Sequence, residues 1–345
     1  MMPGDDTSSD VRMRALHDFV ARSADLPATP VLDAAAVHLM SLLDRTDVPA
    51  LLLKGPALAR LLYRPGEHRD YIDVDILVRQ RDLSATRETL VELAYKNVSD
   101  RAGVDDFLGI LHSETWLGPR GVSIDLHWRL AGCGLEPEKA WQRLYADRQT
   151  IDVAGRPIDV LGRAGLALHL ATHAAQAEPA DYDGSRAGSK TLGDLRRGLD
   201  RWPLTDWRVA ATLAEDMGGA KAFAAGLRRL PEGANMARTL GLPPSAELSW
   251  MIRNHHLRPR GTFHVRALAE APGWRGRAQI LRRSLLPRRA WIAVQFPWAG
   301  STIPALLAGY VVHLLRAPLW ALRAWRFDRR ARRAGTKSET ASRAR

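Results

Sequence analysis

Two aspartates one residue apart carry the chemistry this sequence advertises. In the run 72–78, Ile72, Val74, Ile76 and Val78 alternate with Asp73 and Asp75, a period of two that predicts a strand. Side chains two apart on one strand face lie roughly 6.5–7 Å apart at the Cα. Two carboxylates side by side on an apolar strand are costly unless a cation lies between them. The hard ion that suits carboxylates and phosphates together is Mg²⁺. Nucleotidyl and phosphoryl transfer place two such ions about 3.5–4 Å apart, clamping the attacking and leaving oxygens. A third carboxylate on a neighbouring strand completes that set. Asp125, in Ser123-Ile124-Asp125-Leu126-His127-Trp128, is the candidate. Asp73, Asp75 and Asp125 are therefore the expected catalytic and metal-binding residues, with Asp125 helping to activate an acceptor hydroxyl. A lone Asp-x-Asp pair is also a common solvated strand face.

The flanking segments must position these carboxylates. Residues 49–55 form a short apolar run ending in Lys54-Gly55, read as a buried strand and turn, and Pro56 opens a helix over 57–63. Asp82 is placed to cap a helix reaching about Ala94. Strands at 113–118 and 122–128 flank the turn Gly118-Pro119-Arg120-Gly121 as a hairpin. A second hairpin is expected around Gly155-Arg156. Upstream, residues 11–44 carry helical spacing, with Pro27 and Pro30 separating two helices. Beyond Gly162 the strand signals stop and helical spacing takes over.

These patterns predict an α+β fold: a mixed sheet with flanking helices, followed by a helical C-terminal domain. The expected organisation is a disordered lead over 1–10, an α/β domain over 11–162, a helical domain over 163–328 and a basic disordered tail over 329–345. His127 reads as a strand histidine satisfied by a nearby backbone group, or as the residue that orients Asp125. His169 and His173, four apart on one helix face, read as packing rather than as metal ligands, since no Glu stands between them as in H-E-x-x-H. Asp194 is expected to cap a helix or to pair with arginines.

The net charge is +12 over 345 residues, and it is unevenly spread. Residues 253–345 hold 20 Lys/Arg against three acids, which leaves residues 1–252 at −5. A basic C-terminal third suits nucleic acid, anionic lipid or an acidic partner, or is simply solubilising arginine. The stretch 291–333 is rich in Trp and apolar residues. Its longest uncharged core, 303–315, falls short of the ~20 residues a spanning helix needs. No transmembrane helix is expected, and the stretch offers a peripheral membrane contact instead. A single cysteine, Cys133, excludes a disulfide framework and a cysteine zinc site and fits a cytoplasmic protein. No apolar segment follows the start that would read as a secretion signal.

The motifs together resemble a known family. Lys54-Gly55 at a strand end, Arg69, the Asp73-Val74-Asp75 strand and the Ile124-Asp125-Leu126-His127-Trp128 strand resemble the uncharacterised nucleotidyltransferase family of bacteria, within the polymerase-beta-like nucleotidyltransferase superfamily. The likeness covers about residues 30–230, including the segments around His173 and Asp194. It implies transfer of a nucleotide from an NTP, usually ATP, to a hydroxyl or other acceptor, with Mg²⁺ and a role in peptide natural-product biosynthesis. It also places Lys54, Gly55 and Arg69 around the triphosphate. One departure stands out. The superfamily turn is Gly-Ser about ten residues before Asp-x-Asp, whereas here it is Gly55-Pro56, with 17 residues before Asp73. Proline offers neither hydroxyl nor N–H, so Lys54 as a point charge or Arg69 as a fork must supply the phosphate contact. The acceptor is expected to be a small molecule or peptide rather than nucleic acid. The alternative is a catalytically weak or inactive scaffold that uses its basic third for binding.

Overall fold

The computed structural model describes residues 29–98, 112–176, 186–254, 257–271, 273–300 and 302–343. The expected lead over 1–10 and the first of the two early helices lie outside them. The described residues fall into two compact units, 29–96 with 112–253 and 337–343, and 97–98 with 254–336.

The first unit opens with α1 (Thr29–Arg45), which carries Pro30 in its first turn, where the missing N–H costs nothing. Then follow β1 (Ala50–Leu52), α2 (Pro56–Leu61), β2 (Asp73–Val78), α3 (Leu83–Glu92) and β3 (Lys96–Asn97). The hairpin β4 (Ser113–Leu117) and β5 (Ser123–His127), then α4 (Pro137–Ala146) and the hairpin β6 (Gln149–Val153) and β7 (Arg156–Val160), complete the sheet. β2 begins one residue later than the alternation suggests, because Ile72 is 42% exposed and buries no side chain to hold it there. Asp82 stands at the start of α3 but does not cap it; its carboxylate pairs with Arg79 instead.

The seven strands lie in the order β3-β4-β5-β2-β1-β7-β6. β1 runs antiparallel to β2 and parallel to β7, while β2 runs parallel to β5. The sheet is thus mixed, as the motif pattern predicts. The β2–β5 register sets Asp75 opposite Asp125 and Leu77 opposite His127.

Helices cover both faces. α1 packs on β1, β2, β7 and α3. The other face meets α5 (Arg163–Gln176), α6 (Arg186–Arg201), α7 (Leu204–Asp216), α8 (Ala220–Leu227) and α9 (Pro231–Thr239), with α10 (Ala246–Arg253) behind α5 and α8. α5 is buried almost all round from Ala164 to Ala175, as a helix at the centre of a core must be. Strands end at Val160 and helices begin at Arg163, yet the core runs through that point. Leu51, Leu53 and Leu77 share one apolar cluster with Leu166, Leu170, Trp207 and Phe223. Since Asp73, Asp75 and Leu77 project to one side of β2, both carboxylates face the helical half.

The second unit contains α11 (Thr262–Glu270), α12 (Gly273–Leu285), α13 (Arg289–Gln295) and the first part of α14 (Ile303–Arg343). α14 continues through Arg316 and Pro318 and on across residues 329–343, which composition alone reads as a disordered tail. Residues 329–334 are all Arg or Ala, which are good helix formers. Where the uncharged core of 303–315 looks too short to span a bilayer, the observed helix is long and apolar enough, by length and composition, to do so.

Candidate functional site

Gly55 sets the geometry at the end of β1. Its backbone sits at φ 57°, ψ −113°, a conformation side-chain-bearing residues avoid. A Cβ there would lie 3.2 Å from the Asp73 carbonyl oxygen and 3.4 Å from the Tyr71 ring. The turn therefore passes close against the start of β2, held also by the Leu53 N–H donating to the Asp75 carbonyl at 2.9 Å. Pro56 follows at the first position of α2.

This turn delivers Lys54 onto the carboxylate strand. The Lys54 Nζ lies 2.7 Å from Asp75 Oδ1, and His127 Nε2 lies 3.1 Å from the same oxygen. Asp75 is wholly buried, and its second oxygen, Oδ2, has no hydrogen-bond partner in the described structure. Across the parallel pair, Asp125 accepts a hydrogen bond from Thr115 Oγ1 at 2.7 Å. Single donor atoms of Asp75, Asp125 and His127 lie within 4.8 Å of one another.

The charges are strongly perturbed. Burial, then the neighbouring Asp75 charge, pushes Asp73 up to about 6. Burial, again with Asp75 next, raises Asp125. Burial works against an ionised Asp75 too, but Lys54 and then His127 hold it far below the usual carboxylate range. Lys54 pays for its own burial through Asp75 first and Asp73 second, and ends above the ordinary lysine value. Three carboxylates thus lie near one ammonium, Asp75 wholly buried and Asp73 and Asp125 half-buried. A hard divalent ion fits what remains: oxygen donors, surplus negative charge and an orphaned carboxylate oxygen.

Arg69 occupies a different position. Its side chain is buried and forked onto Asp194 of α6, Nη2 to Oδ2 at 2.8 Å and Nε to both oxygens at 3.2 Å, while Nη1 reaches the Gly55 carbonyl at 3.4 Å. The Tyr63 hydroxyl donates to Asp194 Oδ1 at 2.7 Å, and burial followed by that bond pushes its pKa up to about 12. Of the expected residues, then, the structure gathers Lys54, Asp75 and Asp125, keeps Asp73 two positions along the same strand face, and sets Gly55 and Arg69 behind the turn. Asp194 does pair with an arginine, as its sequence context predicts.

Sequence reasoning missed three participants. His127 bonds the Asp75 carboxylate rather than a backbone group or Asp125; its position two residues from Asp125 on the same strand face was the available signal. Thr115 and Tyr63 gave none, because their partners depend on strand register and on a contact across 131 residues. His169 and His173 stack with ring centroids 5.7 Å apart, as a packed pair should. His169 keeps both ring nitrogens buried without a partner in the described structure, and burial, with Lys54 next, lowers its pKa to about 3.

This site lies inside the segment that defines the chain's relatives. The uncharacterised nucleotidyltransferase family matches residues 29–232, more than half of the chain, and the protein belongs to that family. Among solved structures it is similar at 14% identity to the antibiotic-resistance factor ANT(2'')-Ia in complex with adenylyl-2''-tobramycin, over 53% of this chain and 97% of that one, with a TM-score of 0.38. It is also similar at 14% identity to the lincosamide antibiotic adenylyltransferase LnuA, over 46% of this chain and 93% of that one, with a TM-score of 0.31. An antigenic nucleotidyltransferase-like protein from Paracoccidioides brasiliensis is 15% identical over 56% of this chain and 91% of that one, with a TM-score of 0.29. No curated protein matches the sequence.

Proposed function

We propose that the protein transfers a nucleotide from an NTP, ATP being the favoured donor, to a hydroxyl of a small molecule or peptide in the cytosol. The observation that carries this reading is the Asp75 carboxylate, buried with one oxygen bare and in register with Asp125. Asp73, Asp75 and Asp125 would hold Mg²⁺, which neutralises charge on the transferring phosphate and the leaving pyrophosphate. Lys54 contributes a fixed positive charge beside the same carboxylates. Gly55 keeps the turn close to β2, and Arg69 braces that turn from behind through Asp194. In the reaction the acceptor oxygen bonds to the α-phosphorus, the bond to the β-phosphate bridging oxygen breaks, and pyrophosphate leaves. The hydroxyl proton passes to Asp125, whose burial favours the protonated form. Peptide natural-product biosynthesis is the setting the family likeness suggests. The decisive test is Mg²⁺-dependent pyrophosphate release from ATP, which Asp73→Asn and Asp75→Asn should each abolish. Wild-type rates in both variants would remove the assignment.

A second reading has one observation in its favour: Lys54 already neutralises Asp75 without a metal, and the Gly55-Pro56 turn lacks the hydroxyl and N–H of a phosphate grip. A nucleotidyltransferase fold kept as a binding scaffold fits that. Calorimetric titration separates the two, since a scaffold of this kind takes up neither NTP nor Mg²⁺.

A further inference from the structure

The second unit has an apolar surface that its own core does not use. The inner face of α14 is fixed to α12, α13 and the turn after them. Ile292, Phe296 and Ala299 are buried against Leu306, Tyr310 and Trp320. The Tyr310 hydroxyl donates to the Pro287 carbonyl at 2.7 Å, and His313 Nε2 lies 2.9 Å from the Ser284 carbonyl. The contact is close: a Cβ on Gly309 would fall 2.8 Å from the Ala299 Cβ. The outer face is exposed and apolar. Ile303, Leu307, Val311, Leu315, Leu319 and Leu322 are all open to solvent, Leu315 at 76%. Spaced by four, four, four, four and three residues, they wind over about 160° of the helix circumference as one broad apolar stripe, about 29 Å long at 1.5 Å per residue.

Charge surrounds this stripe. Arg316 flanks it, with its guanidinium 5.9 Å from the Phe296 ring centre, and Arg323, Arg326, Arg329, Arg330 and Arg333 follow it on the same helix. Trp325, 47% exposed, stands at the junction, with the Arg329 guanidinium 5.2 Å from its ring centre. Residues 254–336 carry 16 arginines against two acids, and one of those acids, Asp328, is buried and bonded to Arg332 at 2.6 Å. An apolar stripe bordered by tryptophan and arginine is the composition of a helix lying in a membrane interface, where arginine stems lie along the acyl boundary and their heads meet anionic phosphate.

We propose that the outer face of α14 docks in the plane of an anionic membrane surface, the stripe 303–322 buried at the acyl boundary and the arginines beyond it on lipid headgroups. This does not rest on the nucleotidyltransferase reading. A second copy of the chain is the poorer occupant, because it would bring a second arginine-rich unit against the first. A transmembrane path is poorer too, because the inner face is packed on α12 and α13 and tied there by the Tyr310–Pro287 and His313–Ser284 hydrogen bonds.

The test is sedimentation of the full-length protein with vesicles of phosphatidylcholine alone and of phosphatidylcholine with phosphatidylglycerol. The protein should pellet with the phosphatidylglycerol vesicles, lose binding as salt rises, and come off them in alkaline carbonate. The double variant Leu315→Glu/Leu319→Glu, at exposed positions, should weaken binding about tenfold or more. Arg326→Gln/Arg329→Gln, which leaves the apolar stripe whole, should do so by about tenfold. Failure to bind phosphatidylglycerol vesicles overturns the proposal, as does equal binding to both vesicle types. Retention through carbonate points to a spanning helix, and a dimer that Leu315→Glu/Leu319→Glu dissociates points to self-association; either result overturns it as well.

Discussion

Asp75 and Asp194 are both buried carboxylates with a cation against them, and they are finished differently. Asp194 receives Arg69 through a fork and the Tyr63 hydroxyl besides, so both oxygens are bonded. Asp75 receives Lys54 and His127 on one oxygen and nothing on the other. A planar guanidinium saturates a carboxylate; an ammonium is a point charge that leaves room. The contrast separates a carboxylate that braces the fold from one kept open for a ligand, although both are equally far from water.

That contrast can be broken from either side. The largest effect is expected at the open carboxylate: Asp75→Asn should cut Mg²⁺-dependent pyrophosphate release by about a thousandfold or more, measured on protein shown to be folded by circular dichroism. At the closed one, Asp194→Ala leaves Arg69 buried and unpaired and should cost about 3–5 kcal/mol of stability, read by urea unfolding. A variant as stable as wild type would show that the pair is no brace. Gly55→Ala should be milder, about 1–2 kcal/mol from the strained φ and the Asp73 carbonyl, with activity falling alongside.

The smallest effect sharpens the comparison through pH. Asp73 titrates near 6 in the folded protein and near 4 when unfolded, so the folded state holds the proton more tightly. Its contribution to metal-free stability is therefore favourable below about pH 4 and is lost as pH rises through 6. Asp73→Asn should accordingly raise the Tm of the metal-free protein at pH 8 by about 2–4 °C and leave it unchanged at pH 4, while losing activity. An equal gain at both pH values would mean that the charge is not what strains the site.

Much of this was legible in the sequence, for reasons that differ by residue. The period of two in β2 and β5 fixes which side chains share a face, so the alternation alone groups Asp73, Asp75 and Asp125. The two hairpins followed from their turn residues. Pairing partners were a different matter. Lys54 reads as a strand-end charge available to phosphate, and only the Gly55 turn shows that it points back at Asp75. Arg69 and Asp194 are 125 residues apart, and no local pattern joins them. His127 carried a spacing signal without a partner. Along α14, Arg316 and Pro318 read as interruptions, yet the inner face packed on both sides of Pro318 carries the helix through the lost hydrogen bond and the crowding of its ring.

The continuity of the apolar cluster across residue 162 bears on how the chain can be made. As it leaves the ribosome, the sheet-forming segment comes out with Leu51, Leu53 and Leu77 uncovered and Arg69 without its carboxylate. Their cover, α5 to α8, and Asp194 emerge only later. A chaperone that holds the nascent strands until about residue 230 has been synthesised would meet its substrate at its stickiest, and a product truncated at the last strand would be a target for proteolysis rather than a smaller enzyme.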